Sequence, residues 1–209
     1  MFSYDHKAGI DASASALRYL NDMKSFKPAM GVKMIEDVCK LKEDFRLQTP
    51  ATRLKIFTLI LKLLKDQPVS SELQHKYGSS GGFIVDLLQM CRYEKNQENI
   101  ILWFQILRTL LADFEPSDEV TDEIFAAFSA YFPISLGGFN AAQGITTDLL
   151  KGELRSCFSA HQRVGRLVFP FLLSKLDQGD AVTVAVKVCL TDTSVLKDKH
   201  TLTVSRLTS

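Results

Sequence analysis

The sequence predicts an all-α protein built as an α-α superhelix, a solenoid of the HEAT or armadillo type. Apolar side chains recur three and four residues apart through most of residues 11–187, which is the spacing of one helix face. Several helices are too apolar to be covered by one partner, and the segment from Asn99 to Phe114 leaves only one narrow polar edge. Stacking helix pairs side by side covers such helices on several sides, as in a helical-repeat solenoid.

The composition is that of an ordinary globular or repeat protein. The chain has 209 residues, of which 46% are hydrophobic and 23% charged, and its net charge is +1. A dedicated nucleic-acid binder carries a stronger basic excess, so we expect no direct contact with nucleic acid. The longest apolar run, Ile100 to Phe104, is far shorter than the ~20 residues of a membrane span. We therefore expect no membrane contact either.

The chain is predicted to begin with a flexible N-terminus, residues 1–10, followed by the helical repeats in residues 11–187. The first helical pattern starts at Asp11 and stops at Pro28. A second helix follows, and we interpret its methionines as core residues. The apolar face of that helix holds Met30, Met34, Val38 and Leu41.

Polar side chains mark the starts of the later helices. Four of them are predicted to cap the first turn: Thr49, Asn96, Ser117 and Thr146. The helices predicted from this pattern are Pro50–Lys65, Phe83–Arg92, Asn99–Phe114, Asp118–Tyr131, Thr147–Ala160 and Gln162–Asp177. The segment Tyr93–Glu98 is predicted to be a charged turn. Pro133 should end one helix, and Pro170 should kink another.

Two surfaces are candidates for partner binding. Lys55, Thr58, Lys62 and Lys65 step by three and four residues and so share one stripe of their helix; we call this the lysine stripe. A solvated face is the main interpretation, and contact with phosphate groups is the alternative. The second surface is the insertion Ser135–Ile145, which holds three glycines and is predicted to be a surface loop.

No residue pattern indicates catalysis or a bound metal. The stretch Gly78–Gly82 differs from a phosphate-binding loop in sequence, and no strand precedes it. His161 is a lone histidine at a helix turn, which we interpret as structural or solvated, and His75 likewise has no partner pattern. We therefore predict no catalytic, cofactor-binding or metal-binding residue and no cofactor, and we expect the protein not to be an enzyme.

The four cysteines are scattered and are predicted to be buried thiols. No two of them have metal-ligand spacing, and each lies in an apolar pattern, where a free cysteine behaves as a small hydrophobe. Scattered cysteines that are predicted to be free thiols are typical of proteins in a reducing compartment, such as the nucleus or the cytoplasm. The residues are Cys39, Cys91, Cys157 and Cys189.

A set of unusual motifs resembles a known family. The motifs are Tyr131-Phe132-Pro133-Ile134, Gly144-Ile145-Thr146-Thr147-Asp148-Leu149, Leu154-Arg155-Ser156-Cys157 and Pro170-Phe171-Leu172-Leu173-Ser174-Lys175-Leu176-Asp177. In this order and spacing they resemble the amino-terminal HEAT-repeat region of the methyl-methanesulfonate-sensitivity protein "nineteen" family, in a form closer to fungal members. The match is strongest from Gly82 to Lys187.

The resemblance implies a scaffold of the cytosolic iron–sulfur protein assembly targeting complex. Members of that family help to deliver clusters to apoproteins in DNA repair, replication and transcription. The implied partners are the other subunits of the complex and client proteins such as helicases and polymerases. The implied location is the nucleus and cytoplasm, where client maturation and the response to DNA damage take place.

The chain departs from that family at its end. Family members are several times longer, and the resemblance stops after Lys187, which indicates a truncated chain. Residues 188–209 are polar and divergent and are predicted to be a disordered tail. A strand remains open as an alternative, with Thr201–Leu207 as its partner, because apolar residues alternate at Val182, Val184, Val186, Val188 and Leu190.

Two other classes of function remain open from the sequence. The helix pattern alone is equally typical of another protein-interaction module, such as a transport receptor or a phosphatase-type scaffold. An enzyme is the third class, and loss of turnover on changing His161 or His75 would reveal it.

Overall fold

The computed structural model describes residues 15–16, 27–134 and 145–175. In this part of the chain it contains nine α-helices and no strand. We number them α1 Pro28–Cys39, α2 Lys42–Leu47, α3 Pro50–Lys65, α4 Gln67–Tyr77, α5 Gly82–Cys91, α6 Gln97–Asp113, α7 Asp118–Ser129, α8 Thr147–Phe158 and α9 Gln162–Leu173. A short 3₁₀ turn, Gly78–Ser80, joins α4 to α5.

The helices are arranged in two stacked rows, which confirms the predicted solenoid. In the first row α6 lies between α3 and α8, and in the second row α2, α5, α7 and α9 follow one another. The rows are joined because α6 packs on α7 and α8 packs on α9, while α1 packs on α4 and α5. Each helix thus buries its apolar faces on neighbours on more than one side, as the high apolar content of α3 and α6 requires.

One continuous core runs between the two rows. Its largest fully buried side chains include Trp103, Phe45, Phe57, Phe104, Phe128 and Phe158. The ring centroids of Phe45 and Phe57 lie 5.3 Å apart in an edge-on contact, and Trp103 lies 6.1 Å from Phe57 on the next helix of the row. Each such side chain contributes about 1.5–3 kcal/mol through burial, so the core joins neighbouring repeats to one another.

The four predicted caps are all present. The side-chain oxygens of Thr49, Asn96, Ser117 and Thr146 accept hydrogen bonds from the backbone amides of Thr52, Asn99, Val120 and Leu149. Each bond satisfies an amide that has no partner within its own helix. Each of these helix starts therefore depends on a bond between a side chain and a backbone amide that are three residues apart in the sequence.

Two details differ from the sequence-based expectation. Met34 is buried, but Met30 is 42% exposed, so the interpretation of Met30 as a core residue is wrong. Met30 lies in the first turn of α1, on a side of that helix that none of the other described helices covers fully. The helix α9 runs through Pro170, as predicted, but it ends at Leu173, short of the predicted end at Asp177, and it buries Val164, Val168 and Leu172; the kink at Pro170 stays a prediction.

Several expectations fall outside the described residues. These are the flexible N-terminus, most of the first predicted helix, the insertion up to Gly144, and the tail with its alternative strand. None of the described helices has the length and apolar character needed to cross a bilayer.

Candidate protein-interaction surface

The lysine stripe lies on the outer side of α3, as predicted. Lys62 and Lys65 are exposed, while Lys55 and Thr58 are half-buried. The Thr58 hydroxyl donates to the carbonyl of Leu54 at 2.8 Å. Lys62 and Lys65 occupy the last turn of the helix, where a positive charge is favourable against the helix dipole. Part of the stripe therefore has a structural role.

The outer side of α3 is followed by the outer sides of α6 and α8, the next two helices of the first row. The half-buried Ile101, Leu102 and Gln105 form the corresponding stripe of α6. On α8, Glu153 accepts an ion-pair contact from Arg108 of α6 at 3.4 Å. Because the opposite side of each helix packs on the second row, these stripes lie side by side and form one surface. It is basic on α3 and mixed on α6 and α8, a composition typical of protein–protein contact.

A buried ion pair sets the spacing of this row. Arg53 on α3 donates from Nε to Glu94 Oε2 at 2.7 Å and from Nη2 to Glu94 Oε1 at 2.9 Å. The side chain of Glu94 is 1% exposed and that of Arg53 is 15% exposed. Arg53 also donates to the carbonyl of Gln48. One guanidinium group thereby joins the turn before α3 to the turn before α6.

Backbone contacts surround the same carboxylate. Glu94 Oε1 accepts from the amides of Lys95 and Asn96 at 2.9 and 2.8 Å. Burial on its own would raise the pKa of Glu94, but the hydrogen bonds from Arg53 and from these amides outweigh burial and lower that pKa. Glu94 is therefore a charged, fully paired group inside the protein.

The Glu94 turn also contacts the helices on either side. The Tyr131 hydroxyl donates to the Glu94 carbonyl at 3.0 Å, and the Asn99 side chain donates to the carbonyl of Pro50 at 3.1 Å. The sequence had suggested only a charged turn here. No local pattern distinguishes Glu94 from its exposed neighbours, because its partner Arg53 lies 41 residues away.

A cleft of about 310 Å³ opens near α1, α4 and α5. Its lining includes Glu36, Tyr77 and Asp86. The Glu36 carboxylate accepts from Lys76 and, at 2.7 Å, from the Tyr77 hydroxyl. Burial and this bond to Glu36 raise the pKa of Tyr77 to about 12. The Glu36 carboxylate in this cleft is thus already paired with Lys76 and Tyr77.

The histidines have ordinary surroundings. His161 precedes α9, and its Nδ1 accepts from the amide of Arg163 at 3.2 Å, which gives this side chain a capping role. His75 is exposed in the last turn of α4.

Three of the four cysteines are buried free thiols, as predicted, and Cys189 lies outside the described residues. Burial raises the pKa of each of the three thiols above its ordinary value. The Cys157 thiol donates to the carbonyl of Phe104 at 3.4 Å. Within residues 27–134 and 145–175, no three metal-ligating side chains come together.

A family model settles which proteins this chain is related to. The model of the MMS19 N-terminal region, described as Dos2-interacting transcription regulator of RNA-Pol-II, matches residues 2–195. The chain belongs to the MMS19 family. The motifs from Tyr131 to Asp177 all lie within the matched range, so the resemblance stated from the sequence is confirmed.

Curated relatives agree with the assignment to the MMS19 family. The MMS19 nucleotide excision repair protein homolog of Dictyostelium discoideum is 32% identical over 95 residues, which is 45% of this chain. The homolog of Mus musculus is 23% identical over 176 residues, or 83% of this chain. The homolog of Danio rerio is 24% identical over 123 residues, or 58% of this chain.

The matches span only a small part of these MMS19 relatives. They cover 8% of the Dictyostelium protein, 16% of the mouse protein and 11% of the zebrafish protein. A comparison with solved structures gave no match. The chain therefore corresponds to a small segment of each of these relatives.

Proposed function

We propose that this chain is a scaffold segment that acts in nucleotide excision repair and transcription by binding other proteins. The observation that carries the proposal is the MMS19 family match over residues 2–195. The names of the relatives support the repair role, and the description of the family supports the link to transcription. The stacked helices support a binding role, because such stacks present long continuous surfaces.

In its finer form the proposal is that the chain belongs to the cytosolic iron–sulfur protein assembly targeting complex. It helps to present clusters to apoproteins in DNA repair, replication and transcription. Its partners are the other subunits of that complex and clients such as helicases and polymerases. It acts in the nucleus and cytoplasm, without catalysis, a resident cofactor, a membrane or direct contact with nucleic acid.

The geometry supports a contact role over a cluster-holding role for the described segment. Cys39, Cys91 and Cys157 are buried in the core with raised pKa values, whereas a cluster ligand must be a thiolate. The outer face of α3, α6 and α8 is a continuous surface of mixed character, and we assign client binding to it. The cluster itself is cargo carried between other proteins.

A binding experiment with purified components tests the proposal. The immobilised 209-residue chain is incubated with an apo iron–sulfur helicase and, separately, with the assembly subunits, and a full-length MMS19 relative serves as positive control. We expect the chain to retain the helicase. Retention by the relative but not by this chain would contradict the proposal.

Variants locate the contact. Lys62→Glu together with Lys65→Glu reverses the exposed end of the lysine stripe, and we expect weaker helicase retention. Lys27→Glu together with Lys42→Glu makes the same change in net charge at exposed positions, one before α1 and one at the first residue of α2, and it should leave retention unchanged. Equal effects of the two pairs would argue against the assigned face. Cargo release by a nucleotide-bound switch protein would favour a transport receptor instead.

A further inference from the structure

Two apolar side chains are unusually exposed at neighbouring turns. Among the described residues, Tyr93 is 67% exposed and Leu47 is 64% exposed, more than any other large hydrophobic side chain. Leu47 ends α2, and Tyr93 follows the end of α5. A helical stack with a well-filled core has no packing reason to leave both in solvent, and exposed clusters of this kind mark interaction sites.

The two turns are adjacent although they are far apart in the chain. The guanidinium of Arg53 donates both to the carbonyl of Gln48, which follows Leu47, and to the carboxylate of Glu94, which follows Tyr93. On the second row, Arg46 Nη2 donates to the carbonyl of Gln89 at 3.0 Å. These bonds hold the two turns side by side. We refer to Arg46, Leu47, Arg92 and Tyr93 as the turn edge.

The turn edge combines its apolar groups with positive charge. Arg46, Arg92 and Lys95 are exposed, and the Arg92 guanidinium lies 5.6 Å from the centroid of the Tyr93 ring. Glu94 does not offset them because Arg53 neutralises it in the interior. Over residues 42–48 and 92–98 the sequence also holds Lys42 and the carboxylates Glu43, Asp44 and Glu98, so besides the paired Glu94 there are four basic side chains and three acidic ones. Tyrosine and arginine are the residues that most often dominate binding energy at protein interfaces.

The backbone holds Tyr93 ready for contact. Its φ is +68°, a region in which a bulky residue is a strained outlier. The Glu94 carboxylate maintains this turn through the amides of Lys95 and Asn96. An anchor that is already fixed loses little conformational entropy on binding.

We propose that the turn edge binds a segment of a partner protein in which acidic side chains flank an apolar or aromatic one. The carboxylates pair with Arg92 and Lys95, and the apolar side chain packs between Leu47 and the Tyr93 ring. The site is distinct from the outer face of α3, α6 and α8, and the inference does not depend on the iron–sulfur proposal.

The chain itself offers one rival occupant. Tyr131, just after α7, contacts the Glu94 carbonyl, and residues 135–144 come soon after it in the sequence. Residues 135–144 contain no charged side chain and supply no carboxylate for the basic groups of this site. Charge complementarity therefore favours an acidic segment of another protein over this part of the chain.

Fluorescence polarisation with synthetic peptides tests the proposal on the whole 209-residue chain. The probe is a fluorescein-labelled peptide of alternating aspartate, glutamate, leucine and phenylalanine. Its neutral analogue carries asparagine and glutamine instead, and a third peptide has the sequence of residues 135–144. We expect binding of the acidic peptide only, and weaker binding as salt is raised, because exposed charges are screened.

Substitutions then assign the binding to the turn edge. Arg92→Glu and Tyr93→Gly should each weaken binding about tenfold or more, the usual effect of losing a central anchor. Tyr93→Gly removes the ring and also relieves the positive φ, so loss of affinity without loss of thermal stability separates binding from folding. Lys27→Glu, which makes the same change in charge as Arg92→Glu at an exposed position before α1, should bind the acidic peptide as the unmodified chain does.

Four outcomes would overturn the proposal. They are no binding of the acidic peptide at millimolar concentration, equal binding of the neutral analogue, an effect of Lys27→Glu equal to that of Arg92→Glu, and competition by the peptide of residues 135–144. Self-association that Tyr93→Gly abolishes would likewise replace the acidic partner with a second copy of this chain.

Discussion

Arg53 and Glu94 form a two-bond ion pair between α3 and the turn before α6, although 41 residues separate them. The carboxylate is almost completely buried and also accepts two backbone amides. The pair joins consecutive repeats at the point from which the turn edge projects. Its removal should therefore affect both stability and the presentation of Tyr93.

Loss of the cation should destabilise the protein strongly. In Arg53→Met the buried Glu94 keeps its two amide bonds but loses its counter-charge, and we expect a loss of about 3 kcal/mol in the free energy of unfolding. Urea denaturation followed by circular dichroism measures it. The double variant Arg53→Met/Glu94→Leu should cost less than the sum of the single changes, because no unpaired charge remains.

A surface arginine provides the matched control. Arg166 contacts Asp118 at 2.9 Å, but the pair is exposed to solvent, where such contacts contribute little. Arg166→Met should leave the denaturation midpoint nearly unchanged. A midpoint shift as large as that of Arg53→Met would mean that burial of Glu94 is not what makes the interior pair important.

The buried carboxylate predicts how stability depends on pH. The folded-state pKa of Glu94 is below its ordinary value of 4.5, so the unfolded chain binds this proton more readily. The stabilisation is present above pH 4.5 and is lost as the pH falls through the folded-state pKa. We expect the stability difference between the unmodified chain and Glu94→Gln to shrink below pH 4.5.

Unfolding at a series of pH values measures this difference. Glu36 and Asp37 also have lowered pKa values, so both proteins lose stability in acid, and only the difference between them reports on Glu94. A difference that stays constant, or that grows as the pH falls, would contradict the assignment.

A glycine allows close contact between α1 and α4. A β-carbon at Gly31 would lie 2.6 Å from Val69 Cγ2, and Val69 is fully buried. Overpacking of this kind costs about 1–3 kcal/mol, against a gain of about 1 kcal/mol from alanine's helix propensity. Gly31→Ala should therefore lower the melting temperature, and the same change in a Val69→Ala background should not.

A second helical glycine serves as the control. A β-carbon at Gly152 in α8 would meet only Arg155 Nη2, at 3.8 Å, which is ordinary van der Waals contact. Gly152→Ala should therefore raise the melting temperature. If Gly31→Ala also raised it, the predicted clash with Val69 would be absent.

The buried thiols should be inert in the folded protein. Thiol reagents attack the thiolate, and burial raises the pKa of Cys39 to about 12 and raises that of Cys91 and Cys157 as well. In a Cys189→Ser chain we expect no rapid labelling by an aromatic disulfide reagent at neutral pH. Three thiols should react after addition of denaturant. Rapid labelling without denaturant would show that the core opens locally.

The candidate surface was only partly predictable. The outward position of the lysine stripe follows from its three- and four-residue spacing, and the structure confirms it. No spacing pattern in the sequence indicated the turn edge. Tyr93 and Glu94 are neighbours in a polar segment, yet one is exposed and the other buried, because the partner of Glu94 comes from α3.

The sequence by itself determined the helices, their caps and the need to stack them. Those features depend on residues within four positions of one another, such as Thr49 with Thr52, and on apolar stripes too wide for one partner. Only the tertiary structure decided which charge is buried, which aromatic ring faces solvent, and that Met30 lies outside the core. These outcomes depend on contacts between residues some forty positions apart, and local spacing carries no information about them.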